Sequence, residues 1–269
     1  MIERVRVLAC FGGEVTLRAS GRDAELALIA SEAILRRLHA ELTLFEDSEL
    51  ARLNEDPRPV VETTPYVLRL AAAVEPAGRL SGGLVDATIG SPATRDGWRT
   101  VGLNHRRTAV VRPAGVRIDS GGLAKGMAAD LVAHRLGARA SFAVECLGDL
   151  RVGGQAGRPR PVQVTDPFGG LEPVAILGLR SGAVATSGTT RRTGHLIDPR
   201  TREPADTGVV QATALAPTGL EAEVRAKGAL LAGPRGAARH LPDGGVLVLR
   251  SGAVVDVPRD ARAGLMATA

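Results

Sequence analysis

The chain has 269 residues, of which 44% are hydrophobic and 23% are charged, the proportions of a folded soluble protein. Lysine and arginine outnumber aspartate and glutamate by 34 to 29, which gives a formal net charge of +5 and a pI near 10.1. Aromatic residues make up only 2% and the arginines are scattered, so we expect no nucleic acid partner, which would need stacking platforms or a basic stripe.

The N-terminal segment MIERVRVLAC carries charged residues where a secretory signal needs an apolar run, so it predicts a first strand rather than a signal. No apolar run reaches the length of a membrane span, and we expect no membrane partner. Cys10 and Cys146 are the only cysteines. We therefore expect a cytoplasmic protein with free thiols.

Hydrophobic periodicity predicts long runs of strand with few helices between them. The predicted elements are, in chain order, strands at 4–10 and 14–19 joined as a hairpin, a helix through 26–38, a helix from Thr64-Pro65 to Ser81, a strand at 116–118, a helix at 123–136, strands at 142–146, 162–165, 174–179 and 209–216, a helix from the capping box at Thr218 to about Gly233, and strands at 246–249 and 253–257. This pattern favours an α+β fold with a largely antiparallel sheet. Without repeats or a long linker, residues 1–269 form one compact domain with a tail that frays from about Pro258.

The segment VRIDSGGLAKGMAAD, residues 116–130, places Asp119, two glycines and Lys125 where a predicted strand meets a predicted helix. Glycines allow backbone N–H groups to approach a ligand, the helix N-terminus favours an anion, and a lysine adds positive charge. The segment therefore fits a phosphate-bearing ligand, and the alternative is a plain turn into a helix. Gly126 follows Lys125 and no GxGxxG is present, so neither a P-loop nor a Rossmann enzyme is indicated.

Three further runs are candidates for a site. In SGGLVDATIG (81–90) Asp86 lies among glycines, and the alternative is an aspartate that caps its own loop. ECLGDLRVGG (145–154) enters a tight turn. In the run from 184 to 204, Arg191 and Arg192 are candidates to grip phosphate oxygens, and His195 is either a proton carrier or part of the packing. Zinc-ligand spacings and GxSxG are absent.

Taken together, these runs resemble, in order, the ApbE-type FAD:protein FMN transferase family. The matching pieces are FEDSELARLN (45–54), GGLVDATIG (82–90), RIDSGGLAKGMAAD (117–130), CLGDLRVGG (146–154) and ATSGTTRRTGHLIDPRTREP (185–204), followed by the helix LEAEVRAKGALLAG. The resemblance implies an ApbE-like α+β fold, related to the T-fold, with FAD bound in a cleft. It also implies a magnesium-assisted transferase that splits FAD, attaches FMN through a phosphoester bond to a threonine or serine of an acceptor flavoprotein, and releases AMP.

The same resemblance implies site residues. Those that would contact FAD are Phe11, Phe45, Leu84, Val85, Asp86, Asp119, Lys125 and Ile197. The carbonyl of Gly122 and the carboxylate of Glu223 would hold Mg²⁺. For the base that activates the incoming hydroxyl, His195 and Asp119 are both candidates. The family modifies sequences of the type D-x-x-[ST]-x-A-T, which residues 88–94 match only in part, so we do not expect the chain to modify itself.

One departure concerns the metal. The family's metal helix has the form A-D-x-x-x-T, whose Asp and Thr oxygens bind magnesium, and the corresponding residues here are Glu223 and Lys227. A glutamate can ligate Mg²⁺, whereas an ammonium repels it. Lys227 either forms an ordinary i,i+4 pair with Glu223, or acts in catalysis by placing its ammonium where the metal would sit. We favour the second hypothesis, because Lys125 and Lys227 are the only lysines. The alternative function is an FAD-binding protein or an FAD pyrophosphatase without transfer.

Overall fold

The structure, a computed structural model, describes residues 2–91, 96–137, 141–154, 159–190 and 194–260. Its strands are β1 (Glu3–Cys10), β2 (Gly13–Ser20), β3 (Val60–Glu62), β4 (Gly102–Asn104), β5 (Ala109–Val111), β6 (Ser141–Cys146), β7 (Asp149–Gly153), β8 (Arg160–Val164), β9 (Ala175–Leu179), β10 (Gly182–Gly188), β11 (Ile197–Asp198), β12 (Glu203–Pro204), β13 (Val209–Ala216), β14 (Gly245–Leu249) and β15 (Val254–Val257). Its helices are α1 (Ala24–Leu42), α2 (Glu49–Glu55), α3 (Pro65–Leu80), α4 (Ala124–Leu136) and α5 (Gly219–Gly236).

An eight-stranded sheet organises the fold, with the strand order β1-β2-β6-β7-β10-β13-β14-β15. Every neighbouring pair in it is antiparallel. Helices α1, α4 and α5 cover one face, where α1 contacts β1 and β2, α4 contacts β6 and β7, and α5 contacts β10 and β13. The predicted α+β fold with a mostly antiparallel sheet is therefore confirmed.

Local sequence signals account for the element boundaries that were predicted. The predicted hairpin of β1 and β2 is present, but its turn is formed by Phe11 and Gly12 rather than by Gly12 and Gly13. Both turn residues have positive φ (55° and 79°), as a two-residue hairpin requires. The hydroxyl of Thr64 caps α3 and that of Thr218 caps α5, by accepting from backbone N–H groups in the first turn. A positive φ at Gly233 breaks the regular helix of α5, which agrees with its predicted end.

The strand predicted at residues 116–118 is wrong. Val116 and Ile118 are buried as a strand pattern requires, but this segment forms no ladder. Its backbone groups are instead satisfied by side chains. The side-chain amide of Asn54 accepts from the N–H of Ile118 and donates to its carbonyl, at 2.8 Å each, and the Ser91 hydroxyl accepts from the N–H of Arg117 at 2.9 Å. Side-chain hydrogen bonds of this kind compete with sheet pairing.

Several elements have no counterpart among the predicted ones, including α2 and the central strands β7 and β10. Strand β10 is rich in small and hydroxyl residues, and most of it is buried. A strand that is covered on both faces does not alternate, so periodicity does not detect it.

Both cysteines are buried and form no disulfide, as predicted. At the C-terminal end of the described chain, the N–H of Asp260 donates to the carbonyl of Pro242 at 2.8 Å, and the remainder of the tail predicted to fray, residues 261–269, lies outside the described residues. Among the described helices, none combines the length and the apolar character that crossing a bilayer requires.

Candidate functional site

Helices α4 and α5 cross in backbone contact at two glycines. A Cβ added to Gly126 would lie 2.5 Å from the carbonyl oxygen of Gly219, and one added to Gly219 would lie 2.7 Å from the carbonyl oxygen of Gly126. The carboxylate of Asp130 on α4 accepts from the N–H groups of Gly219 and Leu220, at 2.7 and 2.9 Å, and so caps the first turn of α5. The first turns of the two helices are therefore held side by side.

This crossing brings four charged side chains together, Lys125, Asp149, Glu223 and Lys227, which we call the lysine–carboxylate cluster. Lys125 donates to Asp149, and its Nζ lies 3.6 Å from Oε1 of Glu223. The Nζ of Lys227 lies 2.8 Å from the same Oε1 and 2.9 Å from the carbonyl oxygen of Gly122. The side chain of Glu223 is 1% exposed and that of Lys227 is 12% exposed. The side chain of Lys125 is 25% exposed and that of Asp149 is 6% exposed, so the cluster is buried except at Lys125.

Lys125 and Glu223 stabilise each other's charged forms, whereas burial raises the pKa of Asp149 above its ordinary value. Burial by itself would raise the pKa of Glu223, but Lys227 and Lys125 outweigh it and lower that pKa below its ordinary value. Burial would likewise lower the pKa of Lys125, but Glu223 and Asp149 outweigh it and raise that pKa above its ordinary value. Glu223 is therefore a carboxylate and Lys125 an ammonium at neutral pH.

The turn that precedes α4 is shaped by Asp119. The side-chain Oδ1 of Asp119 accepts from the N–H of Gly121 at 2.8 Å, and its backbone N–H donates to the carbonyl of Ala87 at 2.7 Å. The hydroxyl of Ser120 donates to the carbonyl of Leu42 at 2.8 Å. The turn is thus tied to the end of α1 and to the glycine-rich loop at residues 82–90, while Asp119 itself is exposed.

The run at residues 194–204 is joined to the same loop. The guanidinium of Arg202 donates to the carbonyls of Ile89 and Ser91, at 3.0 Å each. Ser91 in turn binds the backbone of Arg117. The other four glycine-rich or polar runs of the sequence are therefore connected to the segment 117–126 by hydrogen bonds, directly or through one another, because Asn54 binds Ile118 and Asp149 binds Lys125.

Asp86 has the local role that was the alternative interpretation of its loop. Its Oδ1 accepts from the N–H of Thr88 at 2.7 Å and from the Thr88 hydroxyl at 2.6 Å. The side chain of Val85 is buried in the core, so a ligand at this loop would meet its backbone. The side chain of Leu84 is half-buried and packs against the apolar cluster beneath β10, β13 and α5.

The remaining predicted residues have different degrees of exposure. Phe11 is half-buried and packs edge-on against the ring of His39, with 5.6 Å between the ring centroids. Phe45 is 93% exposed in the loop before α2. His195 is exposed, and Ile197 is half-buried in β11. Arg191 and Arg192, the candidates for phosphate binding, lie outside the described residues.

Sequence reasoning missed the role of Asp149. This residue follows a tight turn in which Leu147 and Gly148 both have positive φ, and it is 4% exposed. Its Oδ2 accepts from Lys125 and its Oδ1 from the N–H of Thr186 at 3.1 Å. The available signal was an aspartate that enters a strand directly after a glycine turn, because a carboxylate buried there requires a cationic partner.

The cluster does not fit a magnesium ion. Magnesium takes oxygen ligands in an octahedral arrangement. The two oxygens that would provide ligands here, the carbonyl of Gly122 and Oε1 of Glu223, both accept from the ammonium of Lys227. Within the described ranges, no group of three or more His, Cys, Asp or Glu residues is arranged to hold a metal ion.

Comparison with known proteins gives consistent matches. Residues 11–247 match the model of the ApbE family. An FAD:protein FMN transferase of Haemophilus influenzae is 26% identical over 247 residues, which cover 75% of this chain and 71% of that protein. The fold is similar to that of the ApbE protein from Thermotoga maritima, with a TM-score of 0.82 at 24% identity over 98% of this chain and 99% of that one. It is also similar to the flavinyl transferase ApbE from Pseudomonas stutzeri in its apo form, with a TM-score of 0.79 at 22% identity over 94% of each chain.

We predict that Gly126→Ala lowers the free energy of unfolding by about 1–3 kcal/mol, because the added methyl group overlaps the backbone of α5. This loss exceeds the roughly 1 kcal/mol by which alanine favours a helix over glycine. Urea denaturation measures the change. The control is Gly178→Ala in β9, where the new Cβ would lie 3.6 Å from the side chain of Pro159. Equal stability of the two variants would contradict the close crossing.

We predict that Glu223→Gln lowers the free energy of unfolding by about 3–5 kcal/mol at neutral pH, because two lysines lose their shared buried carboxylate. The folded-state pKa of Glu223 is lowered, so its contribution is complete above the unfolded pKa of about 4.3 and is lost as the pH falls through the folded value. Urea denaturation at descending pH should show that the free energies of unfolding of the wild-type protein and Glu223→Gln become equal in acid.

The matched control for this substitution is Glu75→Gln, which breaks the exposed i,i+4 pair with Arg79 on α3. Exposed pairs contribute about 0–1 kcal/mol, so this variant should stay close to the wild-type protein at every pH. A Glu223→Gln variant that is as stable as Glu75→Gln would show that the cluster is not a buried, coupled unit.

Proposed function

The chain belongs to the ApbE family, and from this premise we propose that it is an enzyme that transfers FMN from FAD to an acceptor flavoprotein. The acceptor residue is a threonine or serine, which receives FMN through a phosphoester bond, and the second product is AMP. The observation that supports this assignment best is the connection of the other four sequence runs to the segment 117–126, where the glycine turn opens α4 beside two lysines.

The shape and charge of this segment suit the pyrophosphate of FAD. A Cβ added to Gly122 would meet nothing within 4 Å, which leaves room for an anion at the N-terminus of α4, and a helix N-terminus attracts negative charge. Lys125 provides an ammonium that remains charged at neutral pH. In this proposal the FAD-contacting residues are Phe11, Phe45, Leu84, Val85, Asp86, Asp119, Lys125 and Ile197.

The transfer is a displacement at phosphorus. The acceptor hydroxyl oxygen forms a bond to the phosphorus of the FMN half, and the bond from that phosphorus to the bridging oxygen breaks. The electron pair of that bond leaves with AMP, and the hydroxyl proton goes to a base and then to solvent. Charge that develops on the phosphate oxygens needs nearby fixed cations and N–H donors, which usually give the largest catalytic effect.

For the base we propose His195. Its imidazole is exposed in a segment that Arg202 joins to the glycine-rich loop, and histidine is the side chain that most often transfers protons in catalysis. Asp119, the other candidate, already uses Oδ1 to fix the N–H of Gly121. We therefore assign Asp119 to the shape of the turn.

The test of the function uses the purified chain, FAD, and a flavoprotein domain that carries a D-x-x-[ST]-x-A-T sequence. We expect equal amounts of AMP and of acceptor whose intact mass has increased by one FMN moiety. AMP with unmodified acceptor would instead indicate an FAD pyrophosphatase. Quenching of flavin fluorescence without any AMP would indicate an FAD-binding protein, and either result would overturn the proposal.

The test of the base compares two variants. We expect His195→Ala to lower the transfer rate by about 10²–10⁴-fold while FAD binding is retained, since general base catalysis contributes that much. We expect Asp119→Asn, which disturbs the turn, to weaken FAD binding measured by fluorescence more than it lowers the rate at saturating FAD. Full transfer activity in His195→Ala would remove the assignment.

A further inference from the structure

The ammonium of Lys227 lies between two oxygens that belong to different elements. It donates to the carbonyl of Gly122 in the turn before α4, at 2.9 Å, and to Oε1 of Glu223 one helical turn earlier on α5, at 2.8 Å. The carbonyl and the carboxylate are the kind of oxygen donors that hold a hard cation. In this structure, the cation that contacts both oxygens is the side-chain ammonium of Lys227.

The pair of Lys227 with Glu223 differs from the other i,i+4 ion pairs in the described part of the chain because both of its side chains are buried. The side chain of Arg225 is also 12% exposed, but its i,i+4 partner Glu221 is 39% exposed. In the pairs of Arg36 with Glu32 and of Arg79 with Glu75, the arginine side chains are 62% and 73% exposed and lie on helix surfaces. The side chain of Lys227 is only 12% exposed, and its partner Glu223 is 1% exposed. Lys227 also reaches a second element through Gly122. An ordinary surface pair accounts for neither observation.

The surroundings of Glu223 favour an ammonium over a divalent ion. Oε2 of Glu223 is already bound to the N–H of Gly126 at 2.9 Å, and Oε1 faces both Lys227 and, at 3.6 Å, Lys125. A divalent ion between Gly122 and Glu223 would displace Lys227 from its acceptors and would still face the ammonium of Lys125. Like charges at such distances repel strongly where solvent does not screen them.

We propose that Lys227 replaces the divalent cation in this chain, so that it splits FAD without added metal. This inference rests on the proposed function. An ammonium has three N–H donors, and Gly122 and Glu223 accept two of them, which leaves one for a nonbridging oxygen of the pyrophosphate. Lys227 keeps its proton throughout, and the displacement at phosphorus is otherwise the one described above.

The first readout is metal binding without FAD, followed as loss of the free Mn²⁺ signal in electron paramagnetic resonance. We expect no Mn²⁺ binding by the wild-type protein and binding by Lys227→Thr, in which a hydroxyl replaces the ammonium. The control Arg79→Thr removes the cation of an exposed pair and should bind none. Binding of Mn²⁺ by the wild-type protein, with displacement by Mg²⁺, would overturn the proposal. This readout does not depend on transferase activity.

The second readout is AMP release from FAD, with acceptor present, in EDTA and in Mg²⁺. We expect the wild-type protein and Arg79→Thr to release AMP at about equal rates in EDTA and in Mg²⁺. In EDTA, the rate of AMP release by Lys227→Thr should be about 10²-fold lower than that of the wild-type protein, as expected for removal of one preorganised donor. Addition of Mg²⁺ should restore part of this rate. A wild-type rate that collapses in EDTA would overturn the inference while leaving the proposed function intact.

Failure of the proposed function would look different, because the wild-type protein would then release no AMP in either solution. The Mn²⁺ comparison would still decide whether Lys227 occupies a cation position. If Lys227→Thr does not fold, as judged by circular dichroism, the wild-type behaviour in Mn²⁺ and in EDTA decides the question alone.

Discussion

The contact between the backbones of α4 and α5 is the constraint on which the site depends. Gly126 and Gly219 let the two helices approach until only a hydrogen atom fits at either position, and Asp130 fixes the approach by capping α5. In this arrangement Oε2 of Glu223 accepts from the N–H of Gly126 at 2.9 Å. The packing of two glycines thus determines where two lysines and two carboxylates meet.

The lysine–carboxylate cluster connects packing to chemistry. Its members come from the start of α4, the start of β7 and the second and third turns of α5. A buried cluster of this kind adds little to stability when compared with an apolar core of equal volume. It does hold two ammonium groups at fixed positions beside a turn that is open to solvent. Preorganised charge of this kind is what phosphoryl transfer requires, because charge builds up on the phosphate oxygens.

Sequence patterns predicted the structural features that are determined by residues close together in the chain. The hairpin of β1 and β2, the caps at Thr64 and Thr218 and the end of α4 at Leu136 are local signals, and the structure contains each of them. The strand expected at 116–118 failed because its hydrogen-bond partner, Asn54, is 64 residues away. The pairing of Lys125 with Asp149 depends in the same way on the register of β6, β7 and β10. The resemblance of five runs to one family, with its departure at Lys227, raised the hypothesis that an ammonium takes the place of the metal, and the structure adds the contacts of Lys227 with Gly122 and Glu223.

The most direct measurement is a crystal structure of the chain grown with FAD and Mn²⁺, with the metal located by its anomalous scattering. The account predicts the FAD pyrophosphate at the turn before α4, with a nonbridging oxygen within hydrogen-bond distance of Nζ of Lys227 and no manganese between Gly122 and Glu223. Manganese bound to those two oxygens with Lys227 turned away, or FAD bound at a distance from the turn, would contradict it.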